Sequence, residues 1–232
     1  MSGIIVALVV LVGLMTSTSA PQANSGGNPG VFPPNSKPYG LTYAQWSVKY
    51  SQWQFSIPYS SNPNFVETSF DVGQSGPVWF LAADNFGAPA RSCTIPAGKA
   101  ILTPLFGYLN DFPCPDPNFK PAPGQSLQDF LTEGAKDLLD QTLIGLEVEV
   151  DGVPLQNLFS YRATSKLFDV TFDPSLKFLD PCATGSAQPA VSDGYWIMLA
   201  PLSVGTHTIH FHATGTYFDG EDTYTVTVVP HK

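Results

Sequence analysis

Hydrophobic and polar residues alternate along much of the chain with the period of two that is typical of half-buried β-strands. The clearest example is residues 206–214, where Ile209, Phe211 and Ala213 share one face and polar residues occupy most of the other. Strands are predicted at 77–83, 99–106, 146–150, 161–165, 168–172, 195–200, 206–214 and 223–229. This pattern predicts a mainly β fold, an antiparallel β-sandwich of the jelly-roll or immunoglobulin-like type.

Two segments show the 3.6-residue period of helices instead, at 42–55 and 126–143. Thr42 and Ser126 stand where N-cap residues are expected, and Gly145 is expected to end the second helix. Both helices are predicted to pack on the sandwich. The second is polar on one side only and must cover something larger, whereas the first has two apolar faces, one of which could remain free.

A hairpin is predicted at Asp151-Gly152, a dipeptide that is typical of type I′ turns. The alternation before this turn places Glu147 and Glu149 on the outward face of one strand. Two carboxylates at this spacing fit the acid pair of a glycoside hydrolase, although they fit a solvent-facing sheet edge better.

The N-terminal sequence predicts that the protein is exported from the cytoplasm. An apolar run at 4–15 is followed by small polar residues up to Ala20, which is typical of a secretory signal peptide. The run is shorter than the ~20 residues that a membrane-spanning helix needs, so no stable membrane span is predicted. We predict a signal peptide at 1–20, a flexible Pro- and Gly-rich lead-in at 21–40 and a single sandwich domain at 41–232, secreted to the exterior or the periplasm.

The chain is acidic and sparsely charged. Its 232 residues include 10 Lys+Arg and 19 Asp+Glu, a formal net charge of −9, and 12% are charged, against ~25% in a typical domain. So few cations cannot form the basic stripe that nucleic-acid binding needs, which excludes nucleic acid as the main partner. The 43% of hydrophobic residues can form a large core, which argues against disorder.

The chain has three cysteines, so a single disulfide leaves one thiol free. Cys114 and Cys182 both adjoin prolines in loop-like sequence, whereas Cys93 lies in a candidate strand. This placement favours pairing of Cys114 with Cys182. A catalytic thiol is the alternative, but no histidine is near any of the three in sequence.

Four short motifs are shared with other proteins. They are GQSGPVWFLA at 73–82, CTIPAGKA at 93–100, DGYW at 193–196 and GTHTIHF at 205–211. In these motifs the chain resembles a group of small secreted bacterial proteins of undetermined function. The resemblance implies secretion and a single β-rich unit, and it implies no activity.

The first predicted helix carries the aromatic residues Tyr43, Trp46, Tyr50 and Trp53 within a narrow arc. Flat rings at one-turn spacing can stack on sugars, so these four residues are the predicted ligand-binding site. The alternative is that the same rings form the seam between the helix and a sheet.

No cofactor is predicted outright. His210 and His212 fall on one side of a strand, an arrangement that could bind zinc, copper or iron if neighbouring strands supplied further ligands. A solvent-facing histidine pair on the sheet surface, without a metal, fits the same pattern better. The acidic residues at 219–222 could attract calcium, although Asp-Gly is also ordinary turn chemistry.

Three functional hypotheses follow. The sequence favours a secreted binding protein whose partner is a polysaccharide or a cell-surface component, because aromatic residues are abundant and the common nucleophile, zinc and phosphate motifs are missing. The second hypothesis is an extracellular glycan-active hydrolase or lyase, including a metal-dependent one. The third is a structural component of an envelope or matrix. The sequence leaves open whether the protein is an enzyme and what its oligomeric state is.

Overall fold

The computed structural model describes residues 28, 30–82 and 90–230 and shows a mainly β fold with two α-helices. The strands are β1 Val78–Phe80, β2 Arg91–Pro96, β3 Ala100–Asp111, β4 Leu143–Val150, β5 Val153–Pro154, β6 Arg162–Thr164, β7 Phe168–Thr171, β8 Ala187–Leu199, β9 Gly205–Gly215 and β10 Asp219–Val229. The helices are α1 Tyr43–Ser56 and α2 Leu127–Thr142. The prediction of a mainly β fold with two helices is confirmed.

The strands form two sheets, and both are mixed. The first has the order β1-β3-β8-β6 with β7 also paired to β8, and the second has the order β2-β10-β9-β4-β5. Strand β1 runs parallel to β3 and β2 parallel to β10, whereas the other pairs are antiparallel. The fully antiparallel prediction is therefore wrong at two pairs. The chain passes from β1 to β2 in the other sheet before it returns as β3. Strands β1 and β3 are therefore not joined by a tight hairpin, which would force them to run antiparallel.

Helix α1 begins after Thr42, the predicted N-cap, which takes part in a capping box. The Thr42 hydroxyl accepts a hydrogen bond from the Gln45 backbone N–H, and the Gln45 side chain accepts one from the Thr42 backbone N–H. The helix packs on the first sheet, where the ring of Tyr50 meets Trp196 of β8 edge-on at 5.2 Å between centroids. The aromatic side of α1 therefore faces the sheet.

Helix α2 lies over β3 and β8 and is capped by Ser126, as predicted. The Asn110 side-chain amide of β3 donates to the Leu131 carbonyl of the helix at 3.1 Å. The helix ends at Thr142 and β4 begins at the next residue, so Gly145 lies inside a strand and the predicted helix end there is wrong. Pairing of β4 with β9 extends the strand back to the helix and overrides the local glycine signal.

A buried ion pair anchors α2 to the first sheet. Asp193 of β8 is fully buried, and its carboxylate accepts hydrogen bonds from the Arg162 guanidinium at 2.6 Å and from the Thr164 hydroxyl. The same guanidinium also contacts Asp140 on α2. These contacts raise the pKa of Arg162 above its ordinary value. A charged partner therefore compensates the burial of Asp193.

The predicted hairpin and disulfide are both present. Asp151 and Gly152 have φ values of 52° and 75°, the two positive angles that a type I′ turn needs between β4 and β5. Cys114 and Cys182 form a disulfide, while Cys93 is a free, buried thiol whose pKa is raised to about 12 by burial. A thiol that is protonated at neutral pH gives no support to the catalytic alternative.

The predicted signal peptide at 1–20 lies outside the described residues, as does the lead-in at 21–27. Part of the remaining lead-in is packed rather than loose, because Val31 bridges Leu199 and Phe32 donates its backbone N–H to the Met198 carbonyl. Within the described ranges, neither α-helix has the length and apolarity that crossing a bilayer requires.

Candidate functional site

The aromatic residues of α1 form the seam between the helix and the first sheet. Tyr43, Trp46, Tyr50 and Trp53 are each only 1–7% exposed. The Tyr43 hydroxyl donates to the Phe32 carbonyl at 2.8 Å, so this ring is fixed inside the core. The burial agrees with the alternative given for these residues, a seam between helix and sheet, because the first sheet covers the face on which the rings lie. Tyr43 and Tyr50 are the more deeply enclosed pair.

Trp46 and Trp53 nevertheless contribute to the wall of a cleft. This α1 cleft has a volume of about 400 Å³ and lies between the helix and the turn at 73–78. Its lining includes Trp46, Lys49, Trp53, Ser56, Ser75 and Phe80. Two of the four predicted ligand-binding residues therefore border a space of the size that small ligands occupy in proteins.

Hydrogen bonds hold the two indole rings in place. The Trp46 Nε1 donates to the Pro38 carbonyl and the Trp53 Nε1 to the Val72 carbonyl, both at 2.9 Å. Both indole N–H donors are therefore used inside the protein, and the rings present carbon surface to the cleft. Gly73 contacts the Trp53 ring with φ +66°, and a Cβ there would lie 3.1 Å from two ring atoms. Glycine therefore lets the turn approach the ring this closely without backbone strain.

The chemistry of the α1 cleft suits binding better than hydrolysis. Its lining combines aromatic carbon, two serine hydroxyls and one lysine ammonium. Among the described residues that line it there is no Asp, Glu or His, so it lacks the two carboxylates of a glycoside hydrolase. It can offer an apolar face and a few polar contacts to a bound molecule.

The outer face of the second sheet carries the predicted histidine pair. Cross-strand pairing aligns side chains of β4, β9 and β10 in two rows across the sheet. The first row contains Glu147, His212 and Glu221, and the next contains Glu149, His210 and Thr223. The predicted outward direction of Glu147, Glu149 and both histidines is confirmed by their exposure. Residues 219–222 belong to β10 rather than to a turn, which corrects the turn interpretation because pairing with β9 continues through them.

We call His210, His212, Glu147, Asp219 and Glu221 the histidine–acid face. The Nε2 of His212 lies 2.7 Å from Asp219 Oδ1, and this hydrogen bond is the main cause that raises the pKa of His212. The sequence pointed to the histidines and to these acidic residues separately, but it did not bring them together, because cross-strand register decides which residues lie side by side.

A second acidic site lies beside the disulfide. Carboxylate oxygens of Asp111 and Asp180 and the sulfur of Cys182 lie within 4.8 Å of one another, the one such trio among the described residues. The sulfur is bonded to Cys114, so it is not a thiolate ligand. Burial, followed by the neighbouring Asp180, raises the pKa of Asp111 to about 7. The sequence signal for this pair was indirect, since both carboxyls stand two or three residues before the bridged cysteines.

The raised pKa of the Asp111 carboxyl predicts that the protein becomes less stable as the pH rises. Its pKa is about 7 in the folded state and near 3.8 in the unfolded chain, so the folded state holds this proton more tightly. Between about pH 4 and 7 the free energy of unfolding should therefore fall, by at most about 1.4 kcal/mol per pH unit.

Urea unfolding at several pH values across this window tests that prediction. Asp111→Asn, which mimics the protonated acid, should flatten the profile, whereas Asp137→Asn on the exposed side of α2 should leave it unchanged. Identical pH profiles for wild type and Asp111→Asn would contradict the prediction.

Comparisons with known proteins identify no family. No family model matches the chain, and no curated protein matches it. A solved structure described as "Structure of PbICP-C in complex with falcipain-2" aligns with 66% of this chain and 100% of its own, at 10% identity and a TM-score of 0.20. A similarity this low establishes neither a shared fold nor a function.

Proposed function

We propose that the chain is a secreted or periplasmic binding protein that holds a carbohydrate segment in the α1 cleft. The observation that carries the proposal is the lining of the cleft, in which Trp46, Trp53 and Phe80 meet Lys49 and Ser75. Sugar rings have apolar C–H faces and polar edges, and such a lining complements both. The disulfide is consistent with an oxidising compartment outside the cytoplasm.

The proposed architecture around the cleft is a β-sandwich of the jelly-roll or immunoglobulin-like type. Phe106 of the first sheet stacks on Phe218, which precedes β10 of the second, with centroids 4.8 Å apart and an interplanar angle of 10°. This contact supports face-to-face packing of the two sheets.

The pre-set geometry of the cleft favours binding of a rigid ligand. Centroids of Trp53 and Phe80 lie 5.4 Å apart, and those of Trp46 and Phe80 lie 6.4 Å apart, so each ring supports its neighbour. Because both indole N–H groups are already bonded, the ligand need not reorganise the rings. The Lys49 ammonium adds a donor suited to hydroxyl or carboxylate groups of a sugar.

Filling the cleft from its exposed rim should abolish ligand binding without unfolding the protein. We expect Ser75→Trp to weaken binding at least tenfold, because the new indole occupies the space next to Trp53 and Phe80. The matched control is Ser60→Trp, at an exposed serine outside the cleft lining. Alanine variants of Trp46 or Trp53 are less informative, because removal of a buried ring also destabilises the core.

The probe is an array of defined neutral and uronic-acid-containing oligosaccharides, followed by titration of any retained oligosaccharide with tryptophan fluorescence as the readout. The proposal requires that wild type and Ser60→Trp retain the same sugar and that Ser75→Trp does not, with all three melting temperatures similar. Absence of any retained sugar, or equal binding by both tryptophan variants, would refute it.

A further inference from the structure

A second cleft lies beside the α1 cleft and is bordered by the same segment of chain. This polar cleft has a volume of about 360 Å³, and residues 68–71 form part of its wall, whereas residues from 73 to 78 border the α1 cleft. Only Val72 separates the two groups, so the nearest Cα atoms that line the two clefts are at most about 8 Å apart. The polar cleft is lined by five hydroxyl side chains and one carboxylate, those of Thr68, Ser69, Ser92, Thr94, Thr227 and Asp71.

The ridge between the two clefts is the turn from Asp71 to Gly73, and hydrogen bonds fix its position. The Val72 carbonyl accepts from the Trp53 indole at 2.9 Å, and the Gln74 backbone N–H donates to the Asp71 carbonyl at 3.3 Å. Both ends of the ridge are exposed. Because Gly73 has no side chain, a bound molecule can cross the ridge along the protein surface. The fixed turn also holds the two clefts at a constant separation, which favours a ligand that occupies both.

The polar cleft offers unused hydrogen-bonding groups to a ligand. Pairing of β2 with β10 places Thr94 beside Thr227, and the side chains of these two residues and of Ser92 make no hydrogen bond to any residue that the structure describes. Hydroxyl groups can both donate and accept, and the Asp71 carboxylate adds a strong acceptor. This lining complements the hydroxyl groups of a sugar unit.

We propose that the polar cleft is a second subsite for carbohydrate, which binds a neutral, hydroxyl-rich unit of the same chain that occupies the α1 cleft. The inference rests on the proposed function and extends it to a ligand that crosses the ridge. The charges of the two linings differ, since the α1 cleft has Lys49 and the polar cleft has Asp71. A carboxylate-bearing sugar unit is therefore expected beside Lys49, and a neutral unit beside Asp71, because like charges repel.

The expected signature of two linked subsites is an affinity that rises with the length of the sugar chain. A short oligosaccharide fills one subsite, whereas a longer one gains from both without a second binding event from solution. Calorimetric titration of the full chain with ladders of two to six units measures this gain, with cello-oligosaccharides as the neutral series and glucuronoxylan oligosaccharides as the acidic series. We expect six-unit chains of at least one series to bind at least tenfold more tightly than two-unit chains.

Thr94→Trp fills the polar cleft and should reduce this length gain to less than threefold, with the affinity for two-unit chains and the melting temperature unchanged. Thr206→Trp is the matched control. Both threonines are cross-strand neighbours of Thr227, one on each side, but only Thr94 lines the cleft. Tryptophan is well tolerated on strands, so neither variant should unfold the protein.

A second pair of variants tests the carboxylate of the polar cleft. Asp71→Ala should weaken the binding of six-unit chains at least threefold, whereas Asp137→Ala, at an exposed position on α2, should leave it unchanged. If two-unit chains bind, Ser75→Trp abolishes that binding and the length gain survives in Thr94→Trp, the second subsite is refuted while the proposed function stands. Absence of binding by both ladders also overturns the second subsite, and absence of binding across the whole oligosaccharide array refutes the proposed function with it.

Discussion

Replacing Arg162 by alanine is expected to lower the free energy of unfolding by about 3–5 kcal/mol, the cost of leaving a buried charge without its partner. Asp193 is fully buried in the first sheet, and the guanidinium of Arg162 lies 2.6 Å from its carboxylate. Without that cation, the Thr164 hydroxyl is the one side-chain partner that the carboxylate retains among the residues the structure describes. Removing the guanidinium also detaches Asp140 of α2 from the sheet.

Urea unfolding followed by circular dichroism measures this loss, and the chain offers two controls. Asp140→Ala removes the exposed partner of the same arginine and should cost about 1 kcal/mol or less, because exposed ion pairs contribute little. Arg162→Ala with Asp193→Asn should recover part of the loss, since the amide needs no counter-charge. Equal stability of Arg162→Ala and Asp140→Ala would show that Asp193 does not depend on its ion pair.

Opening the disulfide is expected to cost about 4 kcal/mol. Cys114 and Cys182 are separated by 68 residues, and closing a loop of that length removes conformational entropy of about this size from the unfolded chain. The loop contains α2 and strands β4 to β7, so the disulfide joins the two ends of a long segment that includes several structural elements.

The double variant Cys114→Ser with Cys182→Ser, compared with oxidised wild type in urea, provides the measurement. Cys93→Ala is the control, because this cysteine is free and forms no disulfide. The double variant should also show a weaker pH dependence of stability, because the disulfide holds the segments that carry Asp111 and Asp180 together. A loss below about 1 kcal/mol would mean that other contacts already restrain these segments.

Local sequence determined the secondary structure where signals came from neighbouring residues. The capping positions of Thr42 and Ser126 and the turn at 151–152 all depend on residues fewer than five positions apart. The same holds for the outward direction of Glu147 and Glu149, which follows from strand alternation. Even the disulfide was favoured by local composition, because both cysteines lie in proline-containing loops.

Tertiary structure alone decided what covers each face and which distant residues meet. Periodicity grouped Trp46 and Trp53 on one side of α1, but only the position of the first sheet shows that these rings are buried beside a cleft. Likewise, pairing of β9 with β10 placed Glu221 beside His212. The pattern along a chain reports how apolar a face is, whereas the identity of its neighbour depends on the packing of segments far apart in sequence.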